Sequence, residues 1–262
     1  MTHRGMALIG GCALALSLVI GCSAKPGTVG ASSSAPSSAS SSASSNRSAG
    51  DVIEAMTKAV QQASSVRVSQ VRSSTTGSSA SAPTSASASA AGAASVASDA
   101  VSVVSEGALS GSNYSSDLSL AAGSQVNILE VDNKTYLQAN DAYWASAGLS
   151  EDLRKSLVGK WVSTQGMIDE ATLAKLQPSA VIAEQLSDIA GQGFRKVETA
   201  TENGREVYRL KSGSDAEVVI DAATMLPRHV KVSARAFPTD LSEWNAVAPK
   251  AAPADSQVVK LG

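Results

Sequence analysis

From residue 101 onward, apolar and polar side chains alternate in short runs broken by turn-forming residues, and this restricts the fold more than any other feature. Alternation with a period of two puts every second side chain on one face of a strand, and that face must be covered. Runs at 101–109, 113–120 and 125–131 read as strands, with Tyr114, Leu118 and Leu120 on one face and Val126 and Ile128 on another. Asp132-Asn133-Lys134 is a tight turn into a strand at 135–138, and Lys160-Trp161-Val162 is a further short strand. The last third is a meander of runs at 193–200, 205–211, 216–221 and 226–236, with Glu202-Asn203-Gly204 and Ser212-Gly213-Ser214 as hairpin turns. Val218 and Ile220 share a face of one run; Val230, Val232 and Ala234 share a face of the next.

Helical spacing occurs elsewhere. The spacing predicts a helix over 50–60, where Val52, Ile53, Met56, Ala59, Val60 and Ala63 recur and Ser48 or Asp51 is the cap. Val66-Arg67-Val68-Ser69 then alternates as a strand. Ser150 is placed to cap a helix at 151–158. Pro178 separates two more, 168–176 and 179–190, the second burying Val181, Ile182, Leu186 and Ile189. The class these patterns give is α+β: one large antiparallel sheet with a few helices against one face.

The N-terminal stretch follows different rules. Met1-Thr2-His3-Arg4 is short and positive, 6–20 is almost wholly apolar, and small Gly21 precedes Cys22. That order describes a signal peptide over 1–21, and the apolar run is shorter than the ~20 residues of a membrane-spanning helix. Residues 22–49 are Ser, Ala, Gly and Pro with almost no large apolar side chain. Such a stretch cannot offset its own ordering entropy, so it is expected to be a flexible tether with a mean reach of about 30 Å. A similar tract at 73–98 is expected to be a disordered hairpin loop, leaving 50–262 as the folded domain. Cysteine occurs only at positions 12 and 22, so a chain cut before Cys22 has no disulfide and is stabilised by core burial alone.

Composition and motifs narrow the function classes. A net charge of -2 with 17% charged residues gives no basic footprint for nucleic acid. There is no Gly-x-Ser-x-Gly elbow, no Ser-x-x-Lys, no metal-ligand spacing and no Gly-rich phosphate loop, so neither a catalytic constellation nor a cofactor or metal site is expected. His229 shares the polar face of its strand with Lys231, Ser233 and Arg235, which reads as a solvated position. Trp144, Trp161 and Trp244 read as packing residues, with a cavity rim as the functional alternative.

Several local patterns, in order, carry a resemblance. Val19-Ile20-Gly21-Cys22 resembles the bacterial lipobox, in which the thiol is diacylated and the chain is cut before it. After the tether come Ala63-Ser64-Ser65-Val66-Arg67-Val68, Asp132-Asn133-Lys134-Thr135-Tyr136-Leu137, Tyr143-Trp144 and Gly159-Lys160-Trp161-Val162. Val218-Val219-Ile220-Asp221, Leu226-Pro227-Arg228 and Leu241-Ser242-Glu243-Trp244-Asn245 complete the set. Together they resemble the LppX/LprG-type lipoproteins of mycobacteria and related actinobacteria, over residue 48 to the C-terminus. The insertion after Arg72 departs from the compact members of that family.

The resemblance implies a fold like that of the LolA and LolB carriers: a curled, incompletely closed antiparallel sheet, or half-barrel, whose concave face helices cover. It implies a non-enzymatic protein, exported and held on the outer face of the cell membrane through diacylglyceryl-Cys22. The implied ligand is a lipid or glycolipid, with an envelope transporter as a protein partner. The strand faces and the last helix would then supply the cavity walls: Leu118, Leu120, Val126, Ile128, Val218, Ile220, Val230, Val232, Val181, Leu186 and Ile189. The other reading of the same residues is a solid core in a membrane-tethered interaction or sensor module.

Cys22→Ala is expected to abolish acylation, because a chain cut at this site has no other thiol. Metabolic labelling with a fatty-acid probe checks this, and persistent labelling of the variant would refute the lipobox.

Overall fold

Ser48 starts the fold. Its hydroxyl accepts the Asp51 N–H (3.1 Å) while the Asp51 carboxylate accepts the Ser48 N–H (3.2 Å), a reciprocal cap on α1 (Ala49–Gln62). Of the two caps that the sequence offers, Ser48 is the one used, and Asp51 is its partner in the first turn. The computed structural model describes residues 47–71, 100–164, 168–213, 216–232 and 237–260, all within one unit, Ser45–Gly262. The signal segment, Cys22, the tether as far as residue 46, the 73–98 tract and the Ser233–Ala234–Arg235 stretch lie outside the described residues.

The described residues form a twelve-stranded sheet and five α-helices, an α+β arrangement. The strands are β1 (Ser65–Val71), β2 (Ala100–Ala108), β3 (Asn113–Leu120), β4 (Gln125–Val131), β5 (Lys134–Ala139) and β6 (Trp161–Ser163). They continue with β7 (Lys196–Glu202), β8 (Arg205–Ser212), β9 (Ala216–Asp221), β10 (Pro227–Lys231), β11 (Thr239–Ser242) and β12 (Val258–Lys260). Their order is β12-β6-β5-β4-β3-β2-β1-β11-β10-β9-β8-β7, and the sheet is not closed. Every pairing is antiparallel except β12 with β6, which is parallel. The wholly antiparallel sheet that the sequence suggests is therefore corrected to a mixed one. A three-residue strand at the end of a polar tail carries no alternation signal.

The remaining helices are α2 (Asp141–Ser146), α3 (Glu151–Leu157), α4 (Glu170–Leu176) and α5 (Pro178–Gly191). Pro178 opens α5 at its first turn, where its missing N–H is no loss, and Gln177 ends α4 and precedes α5. Asp169 caps α4 by accepting the Thr172 N–H at 2.9 Å, which starts that helix two residues later than the sequence suggests. Ser150 precedes α3 as expected but makes no side-chain capping bond. Asp132 and Asn133, with φ of 52° and 60°, turn β4 into β5, and Asn203 and Gly204 (49° and 77°) turn β7 into β8. β1 and β2 pair antiparallel from Ser65↔Ala108 to Val71↔Ser102, so they flank the 73–98 tract as the two arms of a hairpin.

The last strand of the meander ends sooner than the sequence suggests. β10 stops at Lys231, and β11 is a separate strand that pairs with both β10 and β1. Beyond β11 the chain crosses the sheet on the side of Arg67 and Glu106, away from α1 and α5. Asn245 Oδ1 accepts the Ser64 N–H (2.6 Å), and the Asn245 N–H donates to the Ser65 carbonyl (2.9 Å). The Asn113 carboxamide exchanges two bonds with the Lys250 backbone, 2.7 and 2.9 Å. Lys250 Nζ bonds Glu106, whose other oxygen takes the Arg67 guanidinium at 2.7 Å. The tail is thus a strap across the outer face, and β12 is its far end.

Burial opposes ionisation of Glu106, but Lys250 and Arg67 outweigh it and hold the carboxyl below its ordinary value near 4.5. A depressed folded pKa contributes stability that is whole above the unfolded value and is lost as pH falls through the folded one. Glu106→Gln is therefore expected to lower the unfolding temperature at neutral pH. The difference from wild type should shrink as pH falls through the depressed pKa, where wild-type Glu106 becomes protonated as well. Thermal unfolding at several pH values checks it, and a difference constant with pH would show that the strap does not depend on this charge.

Candidate functional site

Register assembles the helix-covered layer from single residues. One row across the sheet runs Val162, Leu137, Ile128, Ser116, Ser105, Val68, Leu241. The next runs Ala139, Val126, Leu118, Val103, Gln70, Thr239, Val230, Val218, Leu210, Val197. Both rows are apolar toward their ends and polar near the middle: the first at Ser116 and Ser105, where β3 meets β2, and the second at Gln70 and Thr239, where β1 meets β11. Two apolar clusters result. In the first, α1 and α5 pack Val52, Met56, Val60, Val181, Ile182 and Ile189 on β1 and β8–β11. In the second, Tyr143, Trp144, Leu157, Ile168 and Leu176 pack on β3–β6.

The residues expected to wall a cavity are divided between these clusters. Val218, Ile220, Val230, Val232, Val181 and Ile189 are buried in the first, and Leu186 packs against it. Leu118, Val126 and Ile128 are buried in the second, and Leu120 packs against it. All lie on the helix-covered face, but the structure does not bring them together as one set.

What separates the clusters is a polar seam under α5, which packs on β1 and β2. Gln185 of α5 is 2% exposed and donates from Nε2 to the Thr239 hydroxyl oxygen at 3.2 Å. Fully buried Thr239 also accepts from Gln70 Nε2 at 3.1 Å. Gln185 Oε1 has no hydrogen-bond partner. Turned the other way, the amide would leave an N–H unpaired instead. Beside it, the hydroxyls of Ser105 and Ser116 are 2.8 Å apart, and Ser116 donates to the Leu176 carbonyl at the end of α4 (3.3 Å). Tyr114 donates to the Leu173 carbonyl (3.2 Å). Its ionisation is pushed well above the ordinary phenol range by burial, then by the charge of Glu130 and a bond to it. Gly107 lies opposite Tyr114, and a Cβ there would come within 2.6 Å of the Tyr114 Cα. Only glycine admits the ring at that distance.

A second buried polar atom without a partner is Trp144 Nε1. Trp144 is 7% exposed and meets the Tyr143 ring edge-on, centroids 5.1 Å apart. Burial raises the Tyr143 phenol pKa. The other tryptophans are packing residues of different kinds. Trp161 joins Leu129, Val131, Tyr136 and Val258 in a small cluster, and Trp244 donates to the Pro227 carbonyl at 2.8 Å.

Gln185 and Glu130 escaped the sequence reading, although both carry a signal. Gln185 is four residues from Val181 and from Ile189, in the middle of the apolar stripe of α5. Glu130 follows Val126 and Ile128 at the next inward position of β4 and is 8% exposed. A polar residue on an apolar stripe is the mark that both share.

Two grooves open on the outer face. One, about 530 Å³, is lined by Asp117, Gln125, Asn127 and Gln138 of β3–β5. The other, about 750 Å³, lies over β8–β11, between Arg209 and Trp244. His229 lines it, with Nδ1 2.7 Å from Asp240, so this histidine is paired rather than free in solvent. Among the described residues, no group of three or more His, Cys, Asp or Glu is placed to hold a metal ion, and no helix is long and apolar enough to cross a membrane. Compared with known families, the chain matches no family model, and no curated protein matches it.

Gln185→Met keeps the length of the side chain and removes the unpaired oxygen. An unsatisfied buried acceptor costs about 1–3 kcal/mol, and the lost bond to Thr239 contributes about 0.5–1.5. The ligand-free variant is therefore expected to be as stable as wild type or up to about 2 kcal/mol more stable. Denaturant unfolding measures this, and a clear loss of stability would mean that water pairs with Oε1.

Proposed function

We propose that this protein is an exported, non-enzymatic lipoprotein of the cell envelope, tethered to the outer face of the membrane through diacylated Cys22. It binds a lipid or lipidated glycoconjugate between sheet and helices and passes it to an envelope transporter. In this reading the unclosed sheet is a curled half-barrel, LolA/LolB-like, of the LppX/LprG type.

The observation that carries the reading is Gln185 Oε1, a buried acceptor without a partner at the joint between two apolar clusters. Buried polar groups are nearly always satisfied, so an orphan inside a helix-covered layer calls for a physical reason. A layer that opens for a ligand supplies one: the acceptor meets a donor on the ligand, and acyl chains replace contacts within the clusters. The energetics require such enclosure. Taking a sixteen-carbon chain out of a membrane forfeits on the order of 12 kcal/mol at about 0.8 per methylene, which a shallow patch does not return. The walls of the first cluster are largely aliphatic, and the chain has few aromatics, 3% of residues, to block the space.

A second reading is a tethered interaction module with a permanently solid core. The burial of Ile128 (2% exposed) and Ile220 (0%) favours it. Ile128→Trp and Ile220→Trp separate the two. If ligand occupies the layer, each variant folds nearly as well as wild type and retains little lipid. If the core is solid, each overpacks it and loses roughly 1–3 kcal/mol or more. Thermal unfolding and mass spectrometry of organic extracts, on wild type and both variants, give the answer. Large stability losses at both positions with no lipid in the wild type would establish the interaction module.

A further inference from the structure

The groove over β8–β11 opens on the face opposite the helices, and we infer that it is a binding site for a neutral saccharide. Its key feature is a β-bulge. Pro227 pairs with Ile220 and His229 with Val219, so Arg228 is an extra residue without a partner on β9. A bulge interrupts alternation, and here both Arg228 and His229 line the same groove, where regular pleating would send them to opposite faces. Arg228 Nη1 is buried and has no hydrogen-bond partner, although carboxylates line the same groove.

The other lining groups are organised in the same way. Arg209 bridges Glu202 (2.6 Å) and Glu217 (3.2 Å), and Asp240 holds His229. The polar atoms are thus fixed in advance by their neighbours, as a recognition site requires. At one end Trp244, half-buried, is held by its bond to Pro227 between Glu243 and Asn245, whose φ values are 52° and 61°. Left-handed backbone on both sides of an aromatic residue is strained, and here it holds the indole at the groove.

Charge selects the ligand class. The lining has three arginines against five carboxylates, so an anion is repelled overall while two arginine donors, Arg228 Nη1 and Arg209 Nε, still lack an acceptor. Sugar hydroxyls both donate and accept, which suits alternating carboxylates and guanidinium groups. The apolar face of a pyranose ring suits an indole. A volume of about 750 Å³ is within the range of small-molecule sites and holds a short oligosaccharide.

The test titrates the full-length protein with mannotriose, maltotriose, triacetylchitotriose and, separately, inorganic phosphate. Tryptophan fluorescence and saturation-transfer NMR are the readouts. At least one neutral trisaccharide is expected to bind, with saturation strongest on a ring face, and phosphate is expected not to displace it. Arg228→Gln should weaken binding about tenfold or more, and Trp244→Phe should remove the fluorescence change. Arg228→Lys, which keeps the charge and loses the fork, replaces the glutamine variant should that one fail to fold, and should also weaken binding. Lipid retention should be unchanged in all these variants, so this site and the helix-covered layer fail or stand separately. Absence of binding by all three sugars, displacement by phosphate, or binding indifferent to both positions would overturn the inference.

Discussion

β1 pairs with β2 on one side and β11 on the other, and this double pairing makes one sheet out of two. β2 to β6 form a meander in which each strand pairs with its sequence neighbour, and β7 to β10 form another. Neither contains the joint. The joint forms when Gln70 meets Thr239, 169 positions away. Contacts so distant in sequence form only after a large loop-closure entropy has been met. Both α1 and α5 pack on or beside β1, so the helix-covered layer becomes complete only when this strand is in place. Part of the polar seam, Gln185 and Gln70 on Thr239, lies where the two half-sheets meet, and the rest, Ser105 with Ser116, lies one strand away.

A seam of this kind restricts how the halves combine. Register on a two-faced sheet is strict, since a slip by one residue moves every inward side chain outward. The Gln70–Thr239 pair adds a directional bond at the joint itself, and Ser105–Ser116 adds one between β2 and β3, one strand inside the first meander. The strap makes the same connection on the other face. Asn245 is tied to β1 and Lys250 to β2 and β3, so the tail spans the joint from outside. The seam and the strap thus hold the same three strands from opposite sides.

Much of this was legible in the sequence because it depends on local patterns. The inward positions of β3, β4 and β9 follow from alternation alone. The first helix follows from its apolar spacing and Ser48, and the turns follow from Asp132-Asn133 and Asn203-Gly204. What was not legible depends on distant partners or on very short elements. β12 has three residues and is parallel, and β11 appears once β10 ends at Lys231, within a run whose alternation continues. The candidate site was legible only in part. The sequence identified residues of the inner face, but their division into two clusters depends on strand order, which no local pattern records. Arg228 shows the limit most plainly. Alternation assigns a face to its neighbours, and only the bulge, a property of the pairing with β9, brings Arg228 into the groove beside His229.

The two faces differ in how they could hold a ligand, and the difference follows from what each lacks. The inner face offers two apolar clusters separated by a polar seam, with two orphan polar atoms, so what it binds must be mostly apolar with a sparse set of hydrogen-bonding groups. The outer groove offers fixed charges beside the Trp244 indole, so what it binds must combine hydroxyls with an apolar face. Because successive residues of one strand point to opposite faces, β9 serves both: Val218 and Ile220 face the helices, and Glu217 and Val219 line the groove. Substitution at one parity therefore leaves the chemistry of the other face in place. The exception is the bulge. A change that removed it would shift the register of β10 against β9, altering Val230 on the inner face together with Arg228 on the outer one.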